Sequence, residues 1–134
     1  MTIDWHGLIG LARIARGRAY VPYSSFGVGA ALLTGSGKIY PGCNIENASY
    51  SVTICAERTA LVAAMAAGER EFVALVVLAD SARPVPPCGV CRQMLAELAP
   101  TMPITLANLD GATLETNMSE LLPGAFMPQD MGRE

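Results

Sequence analysis

The sequence has 134 residues, of which 51% are hydrophobic and only 16% are charged, and its formal net charge is −3. A chain of this length can bury about two-thirds of its unfolded surface, so we predict a single domain over 1–134. The charged fraction is below the usual ~25%, which favours a surface partly covered by copies of the same chain. The nine Lys and Arg are scattered and form no basic stripe, so a nucleic-acid partner is not expected.

Four cysteines could form two disulfides in a secreted protein. The opening residues 1–4 have neither the basic nor the apolar region of a signal peptide. The longest charge-free run, 19–37, is interrupted by proline and glycine, so no membrane span is expected. We therefore expect a cytoplasmic chain with reduced thiols, in which such cysteine spacing favours metal binding or catalysis.

Helix and strand patterns alternate along the chain. Asp4 is predicted to cap a first helix that ends near Gly17. A hairpin turn over 35–37 joins two strands, and an apolar run over 72–79 predicts a strand buried on both faces. The other predicted elements are strands over 26–33, 38–45, 104–107 and 112–116, a helix over 55–67 with Cys55 at its cap, a helix over 88–98, a turn over 108–111 and a last helical turn capped by Ser119. The alternation predicts a layered α/β sandwich. The tail, 127–134, has no hydrophobic periodicity, so no helix or strand is predicted there.

Two short motifs concentrate the metal-binding residue types: C-A-E-R over 55–58 and P-C-G-V-C over 87–91. The spacing of Cys88 and Cys91 places two sulfurs on one face of a helical turn, and Cys55 can add a third ligand from a separate element. The only histidine, His6, lies far away in the sequence and is interpreted as ordinary surface or core. Three ligands leave one position of a tetrahedral zinc ion open for water, and such open sites are usually catalytic.

Glu57, beside the first of these cysteines, is predicted to move protons. Zinc lowers the pKa of bound water from about 15.7 towards about 7, and a carboxylate that transfers the proton contributes about 10²–10⁴-fold in rate. Three thiolates make the zinc centre net negative, which opposes ionisation of water, so positive groups are expected nearby. Arg58 and Arg92 each follow a cysteine motif and are predicted to donate to the sulfurs, assisted by two helix N-termini. The alternative for both arginines is a solvated helix face.

C-A-E-R followed by P-C-G-x-C-R-Q resembles the small, all-cysteine branch of the cytidine deaminases, a class with known zinc chemistry. The resemblance extends, in the family's order, to V-P-Y-S-S-F (21–26), V-G-A (28–30), G-C-N-I-E-N-A-S-Y (42–50) and L-L-P-G-A-F (121–126). It implies a three-layer α/β/α sandwich with a five-stranded mixed sheet, and one zinc ion per chain on Cys55, Cys88 and Cys91. It also implies a homotetramer with active sites at subunit boundaries.

The resemblance assigns substrate contacts as well. Phe26 would stack on the pyrimidine ring, Asn44 and Glu46 would hold the ribose, and the backbone N–H of Ala56 would orient the intermediate. Phe126 would reach into a neighbouring subunit's site. On the residues alone, an amide and a carboxylate two positions apart suit sugar hydroxyls, with capping of the loop as the alternative, and a Phe at a strand start is more often core.

The implied function is hydrolytic deamination of cytidine and 2′-deoxycytidine to uridine nucleosides and ammonia, in pyrimidine salvage, with Glu57 as proton shuttle and no organic cofactor. A deaminase of a blasticidin S-type nucleoside antibiotic shares the zinc motifs; Asn44, Glu46 and Arg58 favour the ordinary nucleoside. A structural zinc module is a further alternative. It should have a fourth ligand and unfold on chelation, and it would give Glu57 no purpose.

Overall fold

The computed structural model describes residues 2–132, which form five strands, four α-helices and two short 3₁₀ helices. The strands are β1 (Val28–Thr34), β2 (Ile39–Cys43), β3 (Phe72–Ala79), β4 (Ile104–Asn108) and β5 (Thr113–Thr116). The α-helices are α1 (Trp5–Arg16), α2 (Ala56–Ala66), α3 (Gly89–Leu98) and α4 (Met118–Leu121), and the 3₁₀ helices are Tyr50–Val52 and Pro128–Met131. None of the helices described is long and apolar enough to cross a membrane.

The five strands form one mixed sheet in the order β2-β1-β3-β4-β5. The pair β3–β4 is parallel and the other neighbouring pairs are antiparallel. The central strand β3 has the predicted bounds, and its residues from Ala74 to Ala79 are buried, because strands pair with both of its edges and helices cover both faces. The predicted five-stranded mixed sheet is therefore confirmed.

Apolar side chains on the two faces of the sheet bury different helices. On one face, Leu8 and Ala12 of α1 pack with residues of β1, β3 and β4. On the other face, Ala60 and Leu61 of α2 and Leu95 of α3 pack against the same three strands. The result is the predicted α/β/α sandwich, in which the two cysteine-bearing helices share one face.

The helix starts explain where the cysteines lie. Asp4 caps α1, its Oδ1 accepting from the backbone N–H of Gly7 at 3.0 Å. Cys55 and Cys88 are the N-cap residues of α2 and α3 and have extended backbones, with ψ of 158° and 169°. An N-cap residue is not yet helical, so each cysteine lies at the junction between a loop and the positive end of a helix.

The C-terminal part differs from the prediction in its cap. Asn117, and not Ser119, caps α4: its side-chain oxygen accepts from the backbone N–H of Glu120 at 3.1 Å. Ser119 instead lies inside the helix. The tail includes the unpredicted 3₁₀ helix over Pro128–Met131, and its residues 133 and 134 lie outside the described part of the chain.

Candidate metal centre and active site

The three cysteines of the two motifs meet at the N-termini of α2 and α3. The Sγ atom of Cys88 lies 3.4 Å from that of Cys55 and 3.4 Å from that of Cys91, and all three sulfurs lie within 4.8 Å of one another. Each cysteine is a free thiol. Three soft ligand atoms therefore lie together, as the spacing of the two motifs predicted.

The geometry of this cluster fits zinc. Tetrahedral zinc with bonds of about 2.3 Å separates its sulfur ligands by about 3.8 Å, close to the separations found here. Within residues 2–132, the cluster contains no fourth His, Cys, Asp or Glu. Cys91 is buried, Cys55 half-buried and Cys88 exposed, so the cluster is reachable from one side, as an open, catalytic type of site requires.

The thiols differ in their readiness to ionise. Hydrogen bonds with Cys91, Cys88 and Arg58 lower the pKa of Cys55 to about 5. The contact with Cys55, together with burial and the nearby Glu57 carboxylate, raises the pKa of Cys91. Before metal binding the thiolate form is thus favoured at Cys55 and the protonated form at Cys91, and a metal ion would displace the proton of Cys91 because thiolate is the binding form.

Glu57 lies on the first turn of α2 and is only 4% exposed. Burial raises the pKa of its carboxyl, and the charge of Cys55 raises it further. A raised pKa brings a carboxyl closer to neutral pH, where it can both accept and return a proton. These properties suit the proton-transfer role predicted for this residue.

The two arginines that follow the motifs behave differently. Arg58 donates from Nη2 to the carbonyl of Thr53 at 3.0 Å and to Sγ of Cys55 at 3.9 Å, because the N-cap residue and the third residue of a helix lie close together. Arg92 donates from Nε to the carbonyl of Pro87 at 2.7 Å and from Nη1 to that of Leu121 at 2.8 Å. The prediction that Arg92 donates to the sulfurs is therefore wrong.

The reason for this difference is helical geometry. Arg92 directly follows Cys91, so its side chain leaves α3 about 100° around the axis from that sulfur. It faces the loop that precedes Cys88 and the end of α4. Arg92 is therefore connected to the cysteine cluster only indirectly, through the backbone of the loop that precedes Cys88.

A cavity of about 220 Å³ opens beside the cysteines. It is lined by Phe26, Val28, Asn44, Cys55, Ala56, Glu57, Val77, Val85, Pro86 and Cys88. Two of the three predicted metal ligands, Cys55 and Cys88, thus share one cavity with the predicted proton shuttle Glu57 and three of the predicted substrate contacts. Val77, Val85 and Pro86 form apolar walls that were not predicted from the sequence. Two signals could have indicated them: Val77 lies near the end of a buried strand, and Val85 and Pro86 lie in a proline-rich loop before a predicted metal ligand.

Two predicted substrate residues lie elsewhere in the chain. Glu46 lines a neighbouring depression together with Tyr23, Ser24, Tyr50 and Thr53. The side chain of Phe126 is 56% exposed, and its carbonyl accepts from Nε2 of Gln93 at 2.7 Å. Within one described chain, these two side chains are not among those that line the cysteine cavity.

The chain is similar to known proteins over most of its length. The family profile "Cytidine and deoxycytidylate deaminase zinc-binding region" matches residues 6–106. The chain is 56% identical over 130 residues to the cytidine deaminase of Halalkalibacterium halodurans, covering 96% of this chain and 98% of the relative. It is 54% identical to the cytidine deaminase of Sporosarcina psychrophila, covering 96% of each.

A solved structure agrees with these relatives. The crystal structure of cytidine deaminase from Burkholderia pseudomallei superposes with a TM-score of 0.90 at 50% identity, covering 92% of this chain and 100% of that one. A blasticidin-S deaminase of Bacillus cereus is more distant, at 34% identity over 104 residues, or 72% of this chain and 74% of the relative.

Proposed function

The chain belongs to the family of cytidine and deoxycytidylate deaminases, and from this premise we propose that it hydrolyses cytidine and 2′-deoxycytidine to uridine, 2′-deoxyuridine and ammonia. One observation carries the proposal: a buried carboxylate with a raised pKa, Glu57, lines the same cavity as Cys55 and Cys88, two members of the three-cysteine cluster. Water activation and proton transfer can therefore act on one small ligand.

Cys55, Cys88 and Cys91 would hold zinc, one ion per chain. When bound, zinc supplies Lewis-acid activation of water at neutral pH. Arg58 offsets part of the negative charge of the sulfurs through its contact with Cys55, and the N-termini of α2 and α3 add partial positive charge.

Glu57 carries the protons. It takes one from the attacking water and gives it to ring N3, which makes C4 more electrophilic, and the water oxygen then adds to C4. Glu57 next accepts the remaining proton of that oxygen and delivers it to the departing amine, so that the C4–N bond breaks and ammonia leaves. A buried carboxyl of raised pKa suits both directions of transfer.

Other cavity residues would bind the nucleoside. Phe26 is half-exposed at the mouth and offers a ring face for the pyrimidine. The backbone N–H of Ala56 would orient the tetrahedral intermediate, and Asn44 would contact the ribose together with Glu46 from the adjoining depression. The cavity, at about 220 Å³, is below the roughly 300–1,000 Å³ of most ligand pockets, so it suits the base better than a whole nucleoside.

The cavity of one chain is too small to enclose a whole nucleoside, which supports an assembly in which subunits complete one another's sites. Large apolar side chains are exposed around the depression that Glu46 lines: Tyr50 is 73% exposed, Val52 64% and Tyr23 50%. We infer a homotetramer in which Phe126 of one subunit reaches the site of another. A cytoplasmic role in pyrimidine salvage is part of the same proposal.

The alternatives receive less support. The blasticidin-S deaminase named above is 34% identical to this chain, a more distant similarity than the 54% and 56% of the two cytidine deaminases. A structural zinc module would need a fourth ligand, and within the described residues the cluster offers three. Neither alternative accounts as well for Glu57 beside an open ligand position.

The deciding experiment compares wild type with Glu57→Gln. Turnover would be followed by the ultraviolet absorbance of cytidine and 2′-deoxycytidine, and zinc per chain would be measured in both proteins. We expect turnover by Glu57→Gln to be about 10²–10⁴-fold lower than that of wild type, while the variant retains the wild-type zinc content. Glu97→Gln is the matched control, because Glu97 is an exposed glutamate on α3, and its activity should equal that of wild type.

Two results would overturn the proposal. A zinc-loaded wild type that leaves both nucleosides unchanged but deaminates blasticidin S would favour the antibiotic deaminase. Unfolding on chelation, with no deaminase activity beforehand, would favour the structural zinc module.

A further inference from the structure

The loop over 23–26 is tied to the carboxylate of Glu46. Oε1 of Glu46 accepts from the backbone N–H groups of Tyr23 at 2.9 Å and Ser24 at 3.2 Å. Oε2 accepts a short hydrogen bond from the Ser24 hydroxyl. A carboxylate has about four lone-pair positions, so this arrangement leaves one position, on Oε2, for a further donor.

The same hydroxyl holds the residue that follows in the cavity wall. Oγ of Ser24 accepts from the backbone N–H of Phe26 at 3.0 Å. The carbonyl of Phe26 accepts from Nδ2 of Asn44 at 2.8 Å. The backbone of the proposed stacking residue is therefore held from one side through Ser24 and Glu46, and from the other by Asn44.

The conformation of the loop needs such support. Ser25 has φ of +59°, a left-handed backbone that non-glycine residues rarely adopt. Its N–H donates to the carbonyl of Val21 at 3.0 Å, and Ser24 is fixed by Glu46. A chain held in a sparsely populated conformation persists only where surrounding contacts determine it.

The ionisation state of Glu46 is consistent with these contacts. The hydroxyl of Ser24 is the main cause that lowers the pKa of Glu46, aided by the two backbone N–H groups. An ionised carboxylate only accepts hydrogen bonds, so its remaining lone pair selects a donor such as a sugar hydroxyl.

We propose that Ser24 is a positioning residue for the nucleoside: its hydroxyl holds the Glu46 carboxylate and the Phe26 backbone in one arrangement, which couples ribose binding to stacking of the base. The inference rests on the proposed function and extends it to a residue that touches neither zinc nor the reacting atoms. Its consequence is a specificity for ribose hydroxyls that depends on Ser24.

The test measures kcat and KM of wild type, Ser24→Ala and Ser24→Thr with cytidine and with 2′,3′-dideoxycytidine, which lacks the 2′- and 3′-hydroxyls of the ribose and keeps the 5′-hydroxyl. Ammonia release is the assay, and zinc content and the unfolding midpoint serve as checks on folding. We expect Ser24→Ala to raise KM for cytidine about tenfold, the size of one lost hydrogen bond to a charged group, with kcat little changed. The preference for cytidine over the dideoxynucleoside should fall, and Ser24→Thr, which keeps the hydroxyl, should restore it.

Two further variants sharpen the comparison. Ser25→Ala removes a neighbouring hydroxyl that makes no side-chain hydrogen bond within residues 2–132, so the preference between the two nucleosides should stay at the wild-type value. In a Glu46→Gln background, Ser24→Ala should add less than it does alone, because the two residues act through one contact.

The outcomes separate the two proposals. If wild type deaminates cytidine but Ser24→Ala lowers kcat/KM equally for both nucleosides, Ser24 is merely structural and the inference is overturned. The same holds if Ser24→Ala behaves like Ser25→Ala. If zinc-loaded wild type deaminates neither nucleoside, the proposed function fails and the inference fails with it.

Discussion

Arg92 is hydrogen-bonded to the loop before Cys88 and not to the sulfurs of the cysteine cluster. Its two hydrogen bonds join the carbonyl of Pro87, which precedes Cys88, to the carbonyl of Leu121 at the end of α4. Both bonds are charge-assisted and partly buried, a combination stronger than neutral hydrogen bonds. The loop that presents Cys88 is thereby tied to a helix about 30 residues further along the chain.

Removing this connection should loosen the metal cluster. We expect Arg92→Ala to cost about 1–3 kcal/mol in the free energy of unfolding, because two carbonyls lose their donors. Zinc transfer to a chromogenic chelator should also become faster. Arg92→Lys should rescue only part of both effects, since an ammonium cannot reproduce two donors in a fixed plane. Arg83→Ala, at an exposed arginine in the same loop region, is the control, and equal zinc-transfer rates in Arg83→Ala and Arg92→Ala would contradict this role.

At the scale of elements, the active site depends on how closely α2 approaches the sheet. Gly42 of β2 faces the start of that helix. A Cβ atom at this position would lie 2.3 Å from the carbonyl oxygen of Ala56 and 2.7 Å from the backbone nitrogen of Ala60. Both atoms belong to the helix backbone, so relief requires the helix itself to move, and Cys55 and Glu57 would move with it.

Gly42→Ala should therefore impair both stability and catalysis. We expect a loss of about 1–3 kcal/mol in the free energy of unfolding, the usual cost of overpacking. At temperatures where the variant is folded, we expect up to about 10²-fold lower kcat/KM, since misplacement by about 1 Å can cost that much. The matched control is Gly10→Ala in α1, where an added Cβ meets nothing within 4 Å and should stabilise the helix by about 0.5–1 kcal/mol. Full activity in Gly42→Ala would show that the helix position is not limiting.

Local sequence signals predicted the elements well because each signal acts over a few residues. The apolar run over 72–79 became β3 with the same bounds, and the two cysteine motifs became helix starts. What escaped prediction depends on distant partners. The carbonyl of Leu121 attracts Arg92, a contact that leaves no trace in local spacing. The hydrogen bonds of Glu46 to the loop over 23–24 correspond to the alternative of loop capping, but the spacing did not indicate which residues would be capped.

At the scale of the whole molecule, the exposed aromatic side chains need an explanation. Tyr20, Tyr23 and Phe126 are each at least half-exposed, and Tyr50 is the most exposed of the four at 73%. The rings of Tyr23 and Tyr50 lie edge to face with centroids 5.8 Å apart, beside the depression that Glu46 lines. Exposed apolar surface of this kind marks interaction sites in soluble proteins, and here it borders the proposed ribose contacts.

If this surface joins subunits, a charge placed on it should both dissociate the assembly and lower the enzymatic activity. We expect Tyr50→Glu to sediment at a lower molecular mass than wild type in analytical ultracentrifugation, because burying an unpaired carboxylate in an apolar interface is costly. Its activity should fall at low protein concentration and recover partly at high concentration, as mass action requires. Ile14→Glu places the same charge on the exposed face of α1, where Ile14 is 59% exposed, and should keep both mass and activity. An unchanged mass in Tyr50→Glu would place the subunit contacts elsewhere, whereas a lower mass with full activity would show that each chain carries a complete site.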